Sequence, residues 1–84
     1  MGKIRDYWNL IKQAVAIENS TAVSDVSYDS NKKVLLVKFR NGRIYEYYGV
    51  PKSEYHAILN APSAGRYMSL EIVGPNKYQY RELV

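Results

Sequence analysis

Hydrophobic residues recur along this chain first at helical spacing and then at strand spacing. Over residues 3–16, apolar side chains at intervals of three and four residues predict an amphipathic helix. The apolar stripe of this helix consists of Ile4, Tyr7, Trp8, Ile11 and Val15. From Val23 the period changes to two, and alternating runs over residues 23–29, 33–40 and 43–50 predict a three-stranded antiparallel meander.

The second half of the chain is predicted to contain shorter elements. Pro51 ends the third strand, and the apolar positions before the next proline predict a short helix over residues 52–60. We predict a loop over residues 63–65 and extended segments over residues 67–72 and 77–83. The expected fold is a small α+β single domain with an N-terminal amphipathic helix, a three-stranded antiparallel meander, a short helix and a C-terminal extended segment.

The dipeptide Asn41-Gly42 sets the expected pairing of the second and third strands. It favours a two-residue type I′ turn, in which both central residues have positive φ. Counting outwards from this turn places Arg40 opposite Arg43, and alternate pairs share a face. The expected core face carries Leu35, Val37, Phe39, Ile44, Glu46 and Tyr48. The expected outer face carries Leu36, Lys38, Arg40, Arg43, Tyr45 and Tyr47.

Composition narrows the chemistry that the chain can support. Without cysteine it forms no disulfide and no thiolate metal site. Twelve Lys and Arg against eight Asp and Glu give a net charge of +4, which favours anionic partners. No apolar run is long enough for a membrane span and the N-terminus does not resemble a signal peptide, so we expect a cytoplasmic protein without membrane association.

The nine tyrosines of the chain, beside one Phe and one Trp, indicate half-exposed aromatic positions, because a buried phenol needs a hydrogen-bond partner. Two of these tyrosines, Tyr45 and Tyr47, lie among cations on the expected outer face. Cations neutralise phosphates and aromatic rings stack on bases, so this face favours a non-catalytic nucleic-acid-binding module for RNA or single strands. The alternative is that water screens the turn arginines and that the C-terminal segment covers the tyrosines as ordinary core.

Two further hypotheses remain open. The Ser63–Gly65 loop, in which Gly65 allows positive φ or close approach of a ligand, offers backbone N–H groups to a phosphate, and Arg66 adds a guanidinium. With Tyr45 and Tyr47 it would form a pocket for a small phosphorylated nucleotide, such as a signalling molecule sequestered by an oligomeric phage protein that counters host defence. In the third hypothesis the chain is a structural adaptor that acts through the apolar stripe. The stripe packs either on its own domain or on a second copy of the chain, and we expect a homo-oligomer.

The chain contains, in this order, the stretches VSDVSYD, LLVKFRNGRIYEYYGVP, SEYHAILNAPSAGRYMSLEI and YQYREL. In order and spacing they resemble the KTSC domain, a module at the C-terminus of some lysyl-tRNA synthetases and in small bacterial and phage proteins. The resemblance covers residues 21–83, which divides the chain into an N-terminal helix and connection, residues 1–20, and a KTSC-like domain, residues 21–84. Tyr45-Glu46-Tyr47 resembles the family's Tyr-x-Tyr motif. Its Ser-x-Gly-x-Tyr…Ile motif is matched by Ser63, Gly65, Tyr67 and Ile72, whereas Ser69 stands where many members have Asn. The resemblance implies RNA binding.

No motif for catalysis is present in the sequence. It lacks glycine-rich phosphate loops and a nucleophile elbow, and the single histidine, His56, supplies too few ligands for a zinc site. We therefore expect no enzyme activity, no cofactor and no metal. The candidate ligand-binding residues are Lys38, Arg40, Arg43, Tyr45, Tyr47, Ser63, Gly65, Arg66 and Tyr67.

Overall fold

Five strands form one antiparallel sheet in the described part of the chain. The structure is a computed structural model, and it describes residues 14–83. The strands, adjacent in chain order, are β1 (Val15–Ala16), β2 (Val23–Asp29), β3 (Val34–Phe39), β4 (Ile44–Tyr48) and β5 (Tyr80–Glu82). Between β4 and β5 the chain forms α1 (Lys52–Asn60), α2 (Ala64–Tyr67) and a π-helix (Met68–Val73). The small α+β domain expected from the sequence is confirmed.

The N-terminal helix expected over residues 3–16 lies outside the described residues except at its last positions. There the prediction is wrong, because Val15 and Ala16 form β1 and pair with Val26 and Asp25 of β2. Val15 is an edge-strand residue, 41% exposed, and does not end a helical stripe. The other four members of the apolar stripe lie outside the described residues, so their part in oligomerisation stays a prediction.

The expected meander is present as β2, β3 and β4, but the sheet is wider than predicted because β1 and β5 extend its two edges. The turn between β2 and β3 forms as its polar residues indicate. The Asp29 carboxylate oxygen Oδ1 accepts hydrogen bonds from the backbone N–H of Asn31 at 2.9 Å and of Lys32 at 3.1 Å.

The loop between β3 and β4 has three residues, and the prediction of a two-residue turn is wrong. The N–H of Gly42 donates to the carbonyl of Phe39 at 2.9 Å, and the N–H of Phe39 donates to the carbonyl of Arg43 at 2.8 Å. Within this loop only Gly42 has positive φ, at +91°. The loop is therefore a type I turn followed by a glycine bulge, because a type I′ turn also requires positive φ at Asn41.

This longer loop shifts the register by one residue and moves every β4 side chain to the other face. Tyr45 pairs with Val37, and Tyr47 pairs with Leu35. The predicted outer face is therefore wrong. We call the first face the side with Leu35, Val37, Phe39, Tyr45 and Tyr47, and the second face the side with Leu36, Lys38, Ile44, Glu46 and Tyr48.

The core lies between the first face and the helical layer. Each helical element contributes fully buried side chains to it: Ile58 of α1, Ala64 of α2, and Met68 and Ile72 of the π-helix. The bounds of α1 agree with the prediction. Across the core, Tyr28 of β2 stacks on Tyr55 of α1 with ring centroids 5.2 Å apart. No helix within residues 14–83 is long and apolar enough to cross a membrane.

Two predictions for the segment after α1 are wrong in part. Residues 67–72 are helical instead of extended, and the N–H of Gly74 donates to the carbonyl of Ser69 at 2.9 Å to close a wide π turn. A Cβ on Gly74 would lie 2.6 Å from that carbonyl oxygen, so glycine permits the turn. Within residues 77–83, only Tyr80–Glu82 is strand.

The prediction of a loop over Ser63–Gly65 is also wrong, because α2 begins at Ala64 with Ser63 as its N-cap. The Ser63 hydroxyl accepts a hydrogen bond from the N–H of Arg66 at 3.3 Å. Gly65 lies close to another segment of the chain, because a Cβ at this position would be 2.6 Å from Ser20 Oγ. Ser20 Oγ is held in place, since it accepts hydrogen bonds from the N–H groups of Ala22 and Val23.

We predict that Gly65→Val lowers the free energy of unfolding by roughly 2–3 kcal/mol, because an overpacked side chain must displace the anchored Ser20. The measurement is chemical denaturation followed by circular dichroism. Arg66→Val is the matched control, since it places the same residue on the same helix at an exposed position. Equal losses in the two variants would contradict a rigid contact at Gly65.

Candidate functional site

A cleft of about 450 Å³ lies between the first face of the sheet and the helical layer. Of the expected ligand-binding residues, Arg43, Tyr45, Tyr47 and Gly65 line it. Further lining side chains come from the hairpin, the π-helix and the C-terminal segment; those that matter chemically are Phe39, Asn41, Ser69, Asn76, Tyr78 and Tyr80. The structure thus brings together part of the expected set and adds residues that the sequence did not indicate.

The other expected residues lie elsewhere. Lys38 is exposed on the second face. The Arg40 guanidinium donates hydrogen bonds to the carbonyls of Ser20 at 2.8 Å and Ile17 at 2.7 Å, so it holds the connection between β1 and β2. Arg66 is exposed on α2. The single basic, tyrosine-bearing face that was predicted therefore does not form.

Three tyrosines form one wall of the cleft, which we call the tyrosine wall: Tyr45, Tyr47 and Tyr80. The Tyr45 and Tyr47 rings are 6.3 Å apart and inclined by 19°, and Tyr80 lies 5.8 Å from each of them. Phe39 meets Tyr45 edge to face at 5.6 Å. These offset and tilted arrangements are the favourable ones for aromatic pairs, so the rings support one another.

Exposure differs along the tyrosine wall. Tyr47 is 5% exposed, and burial raises the pKa of its phenol to about 12, so it stays neutral at physiological pH. Tyr80 is 55% exposed on the edge strand β5. The tyrosine wall is therefore buried at Tyr47 and offers an accessible aromatic surface at Tyr80.

One ion pair lies at the rim of the cleft. Arg43 Nη1 is 2.6 Å from Glu82 Oε2, and the Tyr45 hydroxyl donates to Glu82 Oε1 at 2.9 Å. The hydrogen bond to Glu82 raises the pKa of Tyr45. Both side chains of the ion pair are well exposed, at 58% and 40%. The cleft thus contains one guanidinium whose partner is a solvent-accessible carboxylate.

A hydrogen-bonded carboxylate, Glu54, holds Tyr78, one of the residues that line the cleft. Glu54 of α1 accepts hydrogen bonds from the hydroxyl of Tyr67, from the hydroxyl of Tyr78 at 2.8 Å and from Lys77 Nζ at 3.1 Å. Burial alone raises the pKa of Glu54, but the bonds from Tyr67, Tyr78 and Lys77 outweigh it and hold that pKa below its ordinary value of 4.5. Glu54 therefore ties the segment before β5 to the helical layer.

Comparison with known proteins decides the family. The sequence profile of the KTSC domain matches residues 19–81 of this chain. The chain belongs to the KTSC domain family. This agrees with the resemblance seen in the sequence motifs.

Relatives of this KTSC domain include both long and short proteins. A lysine–tRNA ligase of Trichormus variabilis is 35% identical over 57 residues, which are 68% of this chain and 10% of the ligase. The chain thus spans about a tenth of the length of that relative. A protein of Tsukamurella paurometabola is 34% identical over 50 residues, 60% of this chain and 75% of that protein. The crystal structure of a KTSC domain protein from Yersinia pestis superposes with a TM-score of 0.76 at 29% identity, covering 86% of this chain and 97% of that one.

The two KTSC motifs have different places in the structure. Ser63 caps α2, Gly65 packs on Ser20, and Tyr67 donates to Glu54, so the second motif builds the helical layer. Ile72 of the same motif is 1% exposed in the core. Tyr45 and Tyr47 of the first motif form the tyrosine wall. Ser69 lines the cleft.

The sequence analysis missed Tyr78, Tyr80 and Glu82 as site residues. The signal available was the alternation in the last segment, which places Tyr80 and Glu82 on the same face of a strand. That alternation alone does not reveal that β5 pairs with β4, bringing Tyr80 opposite Tyr47 and Glu82 opposite Tyr45.

Within residues 14–83, no group of three His, Asp or Glu side chains could hold a metal ion. His56 lies exposed on α1 beside the ring of Tyr55, with centroids 5.7 Å apart. His56 does not line the cleft. The cleft side chains named above can stack, donate hydrogen bonds and pair with an anion, which is the chemistry of binding.

We predict that Glu54→Gln reduces the loss of thermal stability that the protein shows as the pH falls. The folded-state pKa of Glu54 is below 4.5, so its ionised form stabilises the fold above that pH, and this contribution is lost as the pH falls through the lower folded value. Thermal melts between pH 7 and pH 3 measure the effect. Glu71→Gln, an exposed change on the π-helix, is the control, and equal acid limbs in parent and Glu54→Gln would contradict the role of Glu54.

Proposed function

We propose that this KTSC domain is a non-catalytic module that binds one nucleotide unit in the cleft, with the base on the tyrosine wall and the phosphate at Arg43. The unit is a free nucleotide or an accessible residue of single-stranded RNA. The observation that carries the proposal is the lining of the cleft, which combines an aromatic wall, polar side chains and a cation in one concave site.

The size and lining of the cleft suit a nucleotide. Small-molecule sites have volumes of about 300–1,000 Å³ and combine aromatic walls with a few polar groups. Stacking of a base on an aromatic side chain stabilises a complex by about 1–3 kcal/mol. The amides of Asn41 and Asn76 and the hydroxyl of Ser69 can donate to and accept from the edge of a base.

The ion pair at the rim supports an exchangeable anion site. An exposed ion pair such as Arg43–Glu82 contributes only about 0.2–1 kcal/mol, because water and salt screen it. A phosphate can form the stronger two-pronged contact with a guanidinium. In this proposal Glu82 occupies the place of the ligand's phosphate, and the phosphate displaces it.

A single bound unit fits the geometry better than a polymer lying across a flat basic face. The register separates Lys38 from Tyr45 and Tyr47, and the backbone carbonyls of Ser20 and Ile17 already engage Arg40. The relatives that are named lysine–tRNA ligases act on an RNA, which supports a ligand that contains nucleotides.

We predict that Tyr80→Leu weakens nucleotide binding by about 1–3 kcal/mol, because it removes an accessible stacking surface. Isothermal titration with the four nucleoside monophosphates and with a single-stranded RNA octamer measures this effect. Tyr48→Leu is the matched control, since it removes a tyrosine of the same sheet from the second face. Equal affinity in parent, Tyr80→Leu and Tyr48→Leu would show that the tyrosine wall is not the site.

The same titrations distinguish the two sources of the nucleotide. A free nucleotide as ligand should saturate the cleft at one molecule per chain, with no gain in affinity for the octamer. An RNA ligand should bind tighter as the oligonucleotide lengthens, with a salt slope of about 0.7 per phosphate contact.

We further predict opposite effects from the two partners at the rim. Glu82→Gln should strengthen binding of nucleoside monophosphates, because it removes the carboxylate that competes for Arg43. Arg43→Ala should weaken it and reduce its salt dependence. Arg81→Ala is the control, because Arg81 pairs with Glu46 on the second face. Weaker binding in Glu82→Gln would contradict the displacement of Glu82 by phosphate.

A further inference from the structure

A second cavity, which we call the edge pocket, lies beside the cleft around the start of β5. Its volume is about 520 Å³, and most of its lining comes from residues 76–81. Asn76, Tyr78 and Tyr80 line both the cleft and the edge pocket, so the two cavities adjoin along these side chains. A ligand that extends beyond the cleft can therefore continue past Tyr80 into the edge pocket.

The lining of the edge pocket is basic. Lys77 and Arg81 contribute two cations, and among the described residues no Asp or Glu lines it. The side chain of Glu54, the partner of Lys77, is 11% exposed against 45% for the lysine. The side chain of Glu46, the partner of Arg81, is 17% exposed against 50% for the arginine. An anion that arrives from solvent therefore meets both cations before either carboxylate.

Both cations have hydrogen-bond donors left for a ligand. Arg81 Nη2 is 3.5 Å from Glu46 Oε1, longer than the distance of about 2.7–2.9 Å in a strong charged hydrogen bond. This contact uses one of the five donors of a guanidinium. Lys77 Nζ donates to Glu54 at 3.1 Å, which uses one of the three donors of an ammonium. A phosphate placed between the two side chains can accept hydrogen bonds from both.

The path from the cleft to these cations passes around an edge strand. Tyr80 lies opposite Tyr47 on the first face, and Arg81 lies opposite Glu46 on the second face. Within residues 14–83, β5 pairs with β4 alone, so its other edge is open. A double helix is stiff over about 150 base pairs and does not bend around one β-strand, whereas a single strand can. The geometry therefore favours a flexible, single-stranded ligand.

We propose that the ligand is a single strand of RNA, at least two nucleotides long, that uses both cavities. Its first base lies in the cleft, and its next phosphate lies between Lys77 and Arg81 in the edge pocket. Tyr80 then lies between the two subsites. The inference rests on the proposed function, because it adds a second subsite to a nucleotide already bound at the tyrosine wall. A free mononucleotide occupies the cleft alone.

Isothermal titration with a nucleoside monophosphate and with the 5′-phosphorylated dinucleotide of the same base tests the second subsite. We expect the parent chain to bind the dinucleotide about tenfold more tightly, the gain from one additional charged hydrogen bond. The salt slope should be steeper by about 0.7. Equal affinity for the two ligands would overturn the second subsite and leave the proposed function standing. Binding of neither ligand would overturn both.

Variants of the two cations locate the second phosphate. Arg81→Ala and Lys77→Gln should each lower the ratio of dinucleotide to monophosphate affinity, and the double change should abolish the gain. Gln at position 77 keeps a donor for Glu54, so the segment before β5 stays anchored. Arg66→Ala is the matched control, since it removes the same charge from an exposed position that lines neither cavity. A gain that survives the double change would place the phosphate elsewhere and overturn the proposal.

Discussion

The left-handed conformation of Gly42 controls the pairing of β3 with β4, and the rest of the domain depends on that pairing. The type I turn that ends in Gly42 makes a loop of three residues, and because strand side chains alternate with a period of two, this loop length assigns each β4 residue to one face. Packing favours the same register. A shift by one residue would direct Glu46 at the apolar core and remove Tyr47 from it, leaving a buried carboxylate without its cation Arg81.

A cleft forms because the helical layer and the C-terminal strand approach the same end of the first face. The π-helix widens the helical backbone where Ser69 lines the cleft, and glycine at position 74 permits that wide turn. On the other side, Glu54 accepts hydrogen bonds from Tyr78 and Lys77, and these bonds fix the segment that leads into β5. The position of Tyr80 therefore depends on a carboxylate more than twenty residues earlier in the sequence.

The two motifs that resemble those of the KTSC domain family have different structural roles in this chain, since one holds the helical layer and the other lines the cleft. The serine, glycine and tyrosine of the second motif hold the helical layer on the sheet, and the two tyrosines of the first motif form the cleft wall. Members that keep the second motif are expected to keep the fold. Differences at cleft positions such as Ser69 are then expected to change the lining of the cleft and not the fold, since that side chain borders the cleft.

The elements that can be predicted from the sequence are those whose signal lies within a few neighbouring residues. Alternation gave β2 with its observed bounds, Pro51 and the apolar spacing gave α1, and Asp29 marked the turn before β3. The motif resemblance identified the family and supplied Tyr45, Tyr47 and Gly65 as residues near the site. These features depend on backbone preferences and periodicity, which act over short distances along the chain.

The way in which those elements combine depends on contacts between distant segments of the folded chain. Asn41-Gly42 is compatible with two loop lengths, and the choice between them follows from which register buries Tyr47 instead of Glu46. The residues from 67 to 72 are helical because Met68 and Ile72 face the sheet, although their local pattern also fits a strand. Arg40 and Arg43 are neighbours of one turn, yet one binds backbone carbonyls and the other Glu82, since their partners lie far away in sequence. Contacts between distant segments carry no local signature, because their free energy depends on packing that exists only after the chain has folded.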